Sequence, residues 1–378
     1  MRWLLVVPEL GVRPGASFVP GGLQQFGRCV ARALASSPAV SALGVWAQVD
    51  HRSRASAIRQ LVQPYASEAR LSVRCFGGKR DAMSAALLVD CLRRRWDAVM
   101  YLLVNQAVLG ALPGHPPYVT WVIGREVFEP LTAMRRRALR RAAAVFSISK
   151  HTADEARRFD PTLAEPRVVY PCVEPGPPGS DADDGQAPYD LASRRPAILI
   201  VGNMHRGLLY KGHQQLIAAW PLVLEHRPDA ELWIAGDGAG RGEIERMLEP
   251  LPWRVASRIR FFGGVDDAML QKLYASARAF AMPSEGEGFG LVFVEAARCG
   301  LPAIGGRFDS VKEIVLDGVT GFTVEQHPYD VARAAIRLLC DDALAARFSR
   351  MARQRYVDEF RFPSFRRRLL AAVEAVVA

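Results

Sequence analysis

The stretch that decides the reading is residues 282–302, "MPSEGEGFGLVFVEAARCGLP". It sets Glu287 and Glu295 eight residues apart around a turn with glycines at 286, 288 and 290, then enters an apolar segment. Gly288 and Gly290 allow a backbone to approach a ligand closely. A helix starting near Gly290 presents N–H groups without intrahelical partners and the positive end of its dipole, which suits an anion. Phosphate would repel Glu287, so that carboxylate fits better as an acceptor for hydroxyls beside the phosphate. Glu295, more than one turn into the helix, is placed for a second set of hydroxyls. An anion with hydroxyls on both sides describes a nucleotide diphosphate, with ribose at one end and a sugar at the other.

The flanking sequence supplies the frame. In the first half the apolar runs "WLLVV", "LGVWAQV", "AVMYLLV", "YVTWVI", "AVFSIS" and "RVVYP" alternate with helical patterns such as 23–35 and 131–143. The second half repeats this with "AILIVG", "ELWIAG", "RIRFFG" and "RAFAMP", and with helices expected over 212–226, 242–249, 266–276 and 290–299. Continuous apolar strands separated by helices imply parallel sheets covered on both faces. Between the halves, 171–196 is dense in Pro, Gly and Asp and reads as a linker. The expected organisation is a domain over 1–170, the linker, and a domain over 197–360. Two doubly wound α/β domains would then face a central cleft, where ligands bind beyond the carboxyl ends of strands.

Composition narrows the class. The 378 residues, 50% of them hydrophobic, suffice for two ordinary cores. No apolar run reaches the roughly 18 residues needed to cross a bilayer, and the opening "MRWLLVVPELG" reads as a first strand rather than a signal peptide. Six scattered cysteines without a C-x-x-C pair suggest reduced thiols in a cytoplasmic protein. The charge is uneven. Residues 1–170 carry 24 Lys and Arg against 12 Asp and Glu, and the remainder 25 against 27. The basic excess includes Arg93–Arg95 and the run over 134–142, and it suits nucleic acid, an anionic membrane surface or a phosphorylated substrate.

Two further glycine loops belong to the second half. In "ILIVGNMHRGLLYKGHQQLI", Gly202 ends a strand and Asn203, Arg206 and Lys211 follow, cations that suit phosphate. "ELWIAGDGAGRGEIERML" nearly matches a dinucleotide fingerprint through Gly236 and Gly238, but Arg241 stands at the third glycine position, so the match is weak.

"EGFGLVFVE" resembles the E-x7-E signature of retaining glycosyltransferases with the GT-B fold, of the large family four. "YKGHQQLIAAW", "ELWIAGDG", "IRFFGGVDDAMLQKLYASARAFAMPS", "EAARCGLPAIGG" and "EIVLDGVTGFTV" are similar to consecutive blocks of that family's donor domain. "GGLQQFGRCVARAL", with Gly21 and Gly22, and "GREVFEPLTAMRRRALRRAAAVFSISKHTADE", with Glu126, resemble its acceptor domain. The resemblance implies transfer of a hexose, mannose among the candidates, from a UDP- or GDP-linked donor with retained configuration and no metal or other cofactor. Glu287 would contact the sugar and Glu295 the ribose, while Lys211 and the amides of Phe289, Gly290 and Leu291 would hold the diphosphate. Gly263 to Val265 would lie near the base. The last helix, 361–378, would pack back on the first domain.

Two positions depart from the family. Asn203 stands where an arginine is usual, with Arg206 three residues on as its substitute, and Ile123 replaces a histidine before the glycine of "GRE". The expected acceptor is a glycan or a polyprenyl-diphosphate-linked acceptor in cell-surface polysaccharide assembly. The basic half would hold the enzyme peripherally at the inner membrane face. Three rivals remain: a metal-dependent transferase using "DADD" at 181–184, a nucleotide-sugar epimerase, and a basic nucleic-acid-binding protein. The aspartates lie in a linker with no strand before them, and no aromatic residues interleave the arginines as a nucleic-acid stacking surface would require.

Overall fold

A computed structural model describes residues 1–11, 21–66, 69–175, 190–204 and 211–377. The described residues up to 175 form one compact unit with 360–377, and 190–359 form a second.

The first unit is built on β1 (Arg2–Val7), β2 (Ala42–Ala47), β3 (Arg70–Cys75), β4 (Ala98–Tyr101), β5 (Tyr118–Val122), β6 (Ala144–Ser147) and β7 (Arg167–Val168). They pair in the order β3-β2-β1-β4-β5-β6-β7, every pair parallel. Helices cover both faces, which is why β1 is buried along Trp3–Val7 and reads as an unbroken apolar run. Strand β3 escapes the sequence reading. Its residues "RLSVRC" alternate with exposed Arg70 and Arg74, because it is an edge strand and charges on an edge discourage pairing with other chains. The helix expected over 131–143 is shorter, Ala133–Arg141, and starts where the Thr132 hydroxyl accepts from the Arg135 N–H. The final helix, Phe362–Val377, lies against helix Gly22–Ala35. There Phe26 meets Phe365 edge-on, and Arg366 Nε donates to Ser36 Oγ at 2.6 Å.

The second unit has β8 (Ala197–Val201), β9 (Glu231–Ala235), β10 (Ile259–Gly263), β11 (Ala279–Met282), β12 (Ala303–Gly306) and β13 (Gly321–Val324). Their order is β10-β9-β8-β11-β12-β13, again parallel throughout. Strands β12 and β13 are four residues each and carry glycines, too little pattern to be picked out from sequence. Helix Arg241–Arg246 ends earlier than the expected 249.

In each sheet the chain winds outward in one direction and then the other. The order reverses between β1 and β4 in the first unit and between β8 and β11 in the second. Loops at the carboxyl side of such a reversal are where open α/β sheets bind ligands. The architecture is GT-B: two Rossmann-like doubly wound α/β units. Among the described residues, no helix is long and apolar enough to cross a membrane.

Candidate donor site

The carboxyl ends of β8, β9 and β10 are tied together through glycines. Gly202 N–H donates to Ala235 O at 3.0 Å, and Gly236 N–H to Gly263 O at 2.8 Å. Gly236 has φ 136, and a Cβ there would stand 2.0 Å from the Gly202 carbonyl oxygen, so only glycine fits. Arg241 lies over this edge, within 3.0 Å of where a Gly263 Cβ would project, and pairs with Glu245 at 2.7 Å. The residue that spoils the dinucleotide fingerprint is thus held by its own helix. Val265 sits half-buried in the turn after Gly263, just before the Asp266 cap of helix Asp267–Ser276.

The loops after β8 and β11 meet at the reversal point. Asn203 is exposed, and Lys211 runs back over Gly202, its Cδ 3.0 Å from where a Cβ would be. Lys211 Nζ lies 2.7 Å from Glu287 Oε1, and both side chains are largely withdrawn from water, 15% and 13% exposed. Arg206 lies outside the described residues, as do residues 181–184.

Glu287 is also held by its backbone. Its N–H donates to Asp309 Oδ2 at 3.0 Å, and its carbonyl accepts from the Ser310 hydroxyl at 2.7 Å. Asp309 Oδ2 takes a second bond from Ser284 Oγ at 3.0 Å, and Oδ1 accepts from the Val311 N–H at 3.0 Å. Burial pushes the Asp309 carboxyl up to about 6, with the Glu287 charge adding to the shift and the hydrogen bonds opposing it.

After Gly288 and the buried Phe289, helix Leu291–Arg298 begins at Gly290, whose φ of 94 is the left-handed conformation that glycine adopts without strain. The first intrahelical bond runs from Phe293 N–H to Gly290 O, so the Leu291 amide precedes the hydrogen-bonded ladder. Glu295 Oε2 accepts from the Tyr274 hydroxyl at 2.9 Å. Tyr274 is fully buried, and burial beside the Glu295 charge raises its phenol well above the ordinary range.

Sequence reasoning missed three residues here: Asp309, Tyr274 and His213. Asp309 had a usable signal, since an Asp opening a short turn is a capping residue. Tyr274 and His213 had none. His213 opens helix His213–His226, fully buried, and neither ring nitrogen has a hydrogen-bond partner among the described residues. Burial, with the Lys211 charge nearby, lowers its pKa to about 4.

In the first unit, Gly21 caps helix Gly22–Ala35 and donates to Gln24 Oε1 at 2.5 Å, while Gly22 is exposed as the first helical residue. Glu126, after β5, turns back on its own loop and accepts from the Ile123 N–H at 2.5 Å. Burial raises its carboxyl against those backbone bonds. The basic run is partly neutralised. Arg140 makes a bidentate pair with Asp160 at 2.8 and 2.7 Å, and Arg135 donates to Asn105 Oδ1. Arg137 and Arg141 remain exposed, beside an exposed Met134. Arg95 leans on Trp96 and Asp90, while Arg93 and Arg94 are exposed. Among the described residues no group of three or more His, Cys, Asp or Glu side chains is placed to hold a metal ion.

Parts of the chain are similar to known proteins. Residues 195–341 match the sequence model of the family described as glycosyl transferases group 1. The GDP-mannose-dependent alpha-(1-6)-phosphatidylinositol monomannoside mannosyltransferase of Mycolicibacterium smegmatis is 32% identical over 245 residues, 59% of this chain and 61% of that protein. A glycogen synthase of Mycobacterium tuberculosis is 33% identical over 255 residues, 65% of this chain and 56% of the relative. The chain thus spans about three-fifths of the length of these two relatives. Among solved structures, sucrose-phosphate synthase from Thermosynechococcus elongatus superposes with a TM-score of 0.74 at 18% identity, covering 100% of this chain and 99% of the other. Anabaena HepE in complex with UDP gives 0.72 at 18% identity, covering 99% and 100%. These two likenesses establish the fold.

Proposed function

We propose that the chain is a retaining glycosyltransferase that moves a hexose from a nucleotide-diphosphate sugar to a glycan or polyprenyl-diphosphate-linked acceptor, without a metal ion. The observation that carries this is the Lys211–Glu287 pair, which joins the loops of β8 and β11 where the strand order reverses, next to the start of helix Leu291–Arg298. When the bond from the anomeric carbon to the phosphate oxygen breaks, negative charge develops on the diphosphate. The Lys211 ammonium and the oriented amides at Phe289 to Leu291 are the groups to stabilise it, and they need no rearrangement at that moment. Glu287 accepts from hydroxyls of the transferred sugar, Glu295 from the ribose, and Gly202, Asn203, Gly236 and the Gly263–Val265 turn line the nucleotide. Gly21, Gly22 and Glu126 belong to the acceptor side, and the exposed arginines of the first unit to an anionic membrane surface at the cytoplasmic face.

The mannosyltransferase relative, GDP-mannose-dependent by name, makes GDP-mannose the first donor to try, and HepE, solved with UDP, makes UDP-hexoses the second. The test is release of free nucleotide from each donor, with and without a polyprenyl-diphosphate-linked glycan, in buffer and in EDTA. The proposal expects release that depends on acceptor and survives EDTA. Sugar interconversion without acceptor would mean an epimerase, and loss in EDTA a metal-dependent enzyme.

A further inference from the structure

We infer that Asp309 is a positioning residue: with Ser310 it clamps the Glu287 peptide and so aims the Glu287 carboxylate at Lys211 and the bound sugar. This rests on the reading of Glu287 as a donor-site residue.

The geometry is that of a clamp closed on both ends of one residue. Asp309 accepts the Glu287 N–H and the Ser310 hydroxyl donates to the Glu287 carbonyl, from a segment 22 and 23 residues away in the chain. The same carboxylate takes the Ser284 hydroxyl, at the start of the loop, and the Val311 N–H, at the start of its own turn. A four-residue turn, Ser310–Glu313, needs only the Val311 bond for its cap. The two bonds to Ser284 and Glu287 reach instead into the loop that carries the acid. Asp309 is 1% exposed, so it fixes Glu287 without touching the ligand itself.

An ionised Asp309 accepts at both oxygens and can satisfy all these donors, whereas its protonated form converts one oxygen into a donor and loosens the clamp. Glu287 is the charged group facing it, and Lys211 is bonded to Glu287 in turn. With Asp309 ionising at about pH 6, turnover should decline on the acid side near that value.

The test compares the full-length chain with Asp309→Asn and Ser310→Ala. For Asp309→Asn at neutral pH, kcat should fall about tenfold with the donor KM little changed, and the acid limb near pH 6 should disappear. Amide hydrogen exchange in a peptide spanning 284–290 should quicken about tenfold, with peptides from the first unit unchanged. Ser310→Ala should give a smaller change of the same sign, and it stands in by the exchange measurement should Asp309→Asn not fold. Wild-type turnover with an intact acid limb in Asp309→Asn would overturn the inference, as would unchanged exchange over 284–290. If the wild-type chain turns over no nucleotide sugar, the proposed function fails, and the exchange measurement still decides whether the clamp exists.

Discussion

Lys211 Nζ and Glu287 Oε1 stand 2.7 Å apart, joining the loop that leaves β8 to the loop that leaves β11. On the proposed function, the pair neutralises a Glu287 charge that would otherwise oppose the donor's diphosphate, and it holds the ammonium in place before the donor arrives.

Removing either member should be costly for turnover. Lys211→Ala and Glu287→Ala are each expected to lower kcat/KM by about a hundredfold, through lost leaving-group stabilisation and lost sugar orientation. Lys211→Ala leaves the largely buried Glu287 carboxylate without the ammonium beside it, so the double variant should be no less stable than Lys211→Ala alone. Nucleotide-release kinetics and urea midpoints check both statements. Near-wild-type turnover in either single variant would remove this pair from the donor site.

The Tyr274 hydroxyl reaches Glu295 from a fully buried ring, so Tyr274→Phe keeps the packing and deletes the bond to Glu295 together with a longer one, 3.4 Å, to the Val292 carbonyl. Glu295 should then hold the ribose less well. The donor KM is expected to rise by about three- to tenfold with kcat nearly unchanged, because a contact distant from the reacting bond acts alike in ground and transition states. Glu295→Ala should do the same more strongly. A fall in kcat at constant KM would assign Tyr274–Glu295 to the chemical step instead.

What the sequence could tell depended on how local the cause was. Strands β1, β8 and β11 were legible because burial on both faces forces continuous apolar runs, whereas β3 was not, since an edge strand keeps its arginines. Gly290, Glu287 and Glu295 were legible as one contiguous motif. Asp309 was legible only as a cap for its own turn and Tyr274 not at all, because their bonds to that motif cross 22 and 21 residues of chain and exist only once the sheet has formed. The arginines over 135–141 were legible as charge but not as free charge. The Arg140–Asp160 pair shows only in the fold.

His213 gives stability a definite pH dependence. Its folded pKa, about 4, lies below its ordinary 6.5, so the unfolded chain takes up the proton first on acidification. The contribution is complete above about pH 6.5 and is lost as pH falls to 4, by about 3 kcal/mol at 1.36 kcal/mol per pKa unit. Asp309 has the opposite sign: its raised pKa adds stability that is present below 3.8 and lost as pH rises through about 6. The two oppose in the same window, so the wild-type curve hides both. In His213→Leu the difference from wild type should move by about 3 kcal/mol in favour of the variant between neutral pH and about pH 4. Guanidinium unfolding at the two pH values measures it, and a constant difference would mean that His213 is not buried as described.

Membrane attachment would depend on which arginines are free to meet phosphate head groups. Arg140 is committed to Asp160, whereas Arg137 and Arg141 stay exposed next to Met134, an apolar side chain 66% exposed. A basic residue close to an anionic surface contributes about 1 kcal/mol, so Arg137→Gln and Arg141→Gln should each weaken binding to phosphatidylserine-containing vesicles by roughly fivefold. Arg140→Gln should leave binding nearly unchanged while lowering the urea midpoint, since it leaves the buried Asp160 carboxylate with its Thr162 bonds but no cation. Raising ionic strength to about 1 M shortens the screening length to about 3 Å and should release the wild-type chain. Co-sedimentation with anionic and with neutral vesicles, at low and high salt, reads all of this. Binding to neutral vesicles as strong as to anionic ones, or none to either, would defeat the membrane reading and leave the donor site untouched, and an Arg140→Gln loss as large as the other two would place the contact elsewhere on the helix.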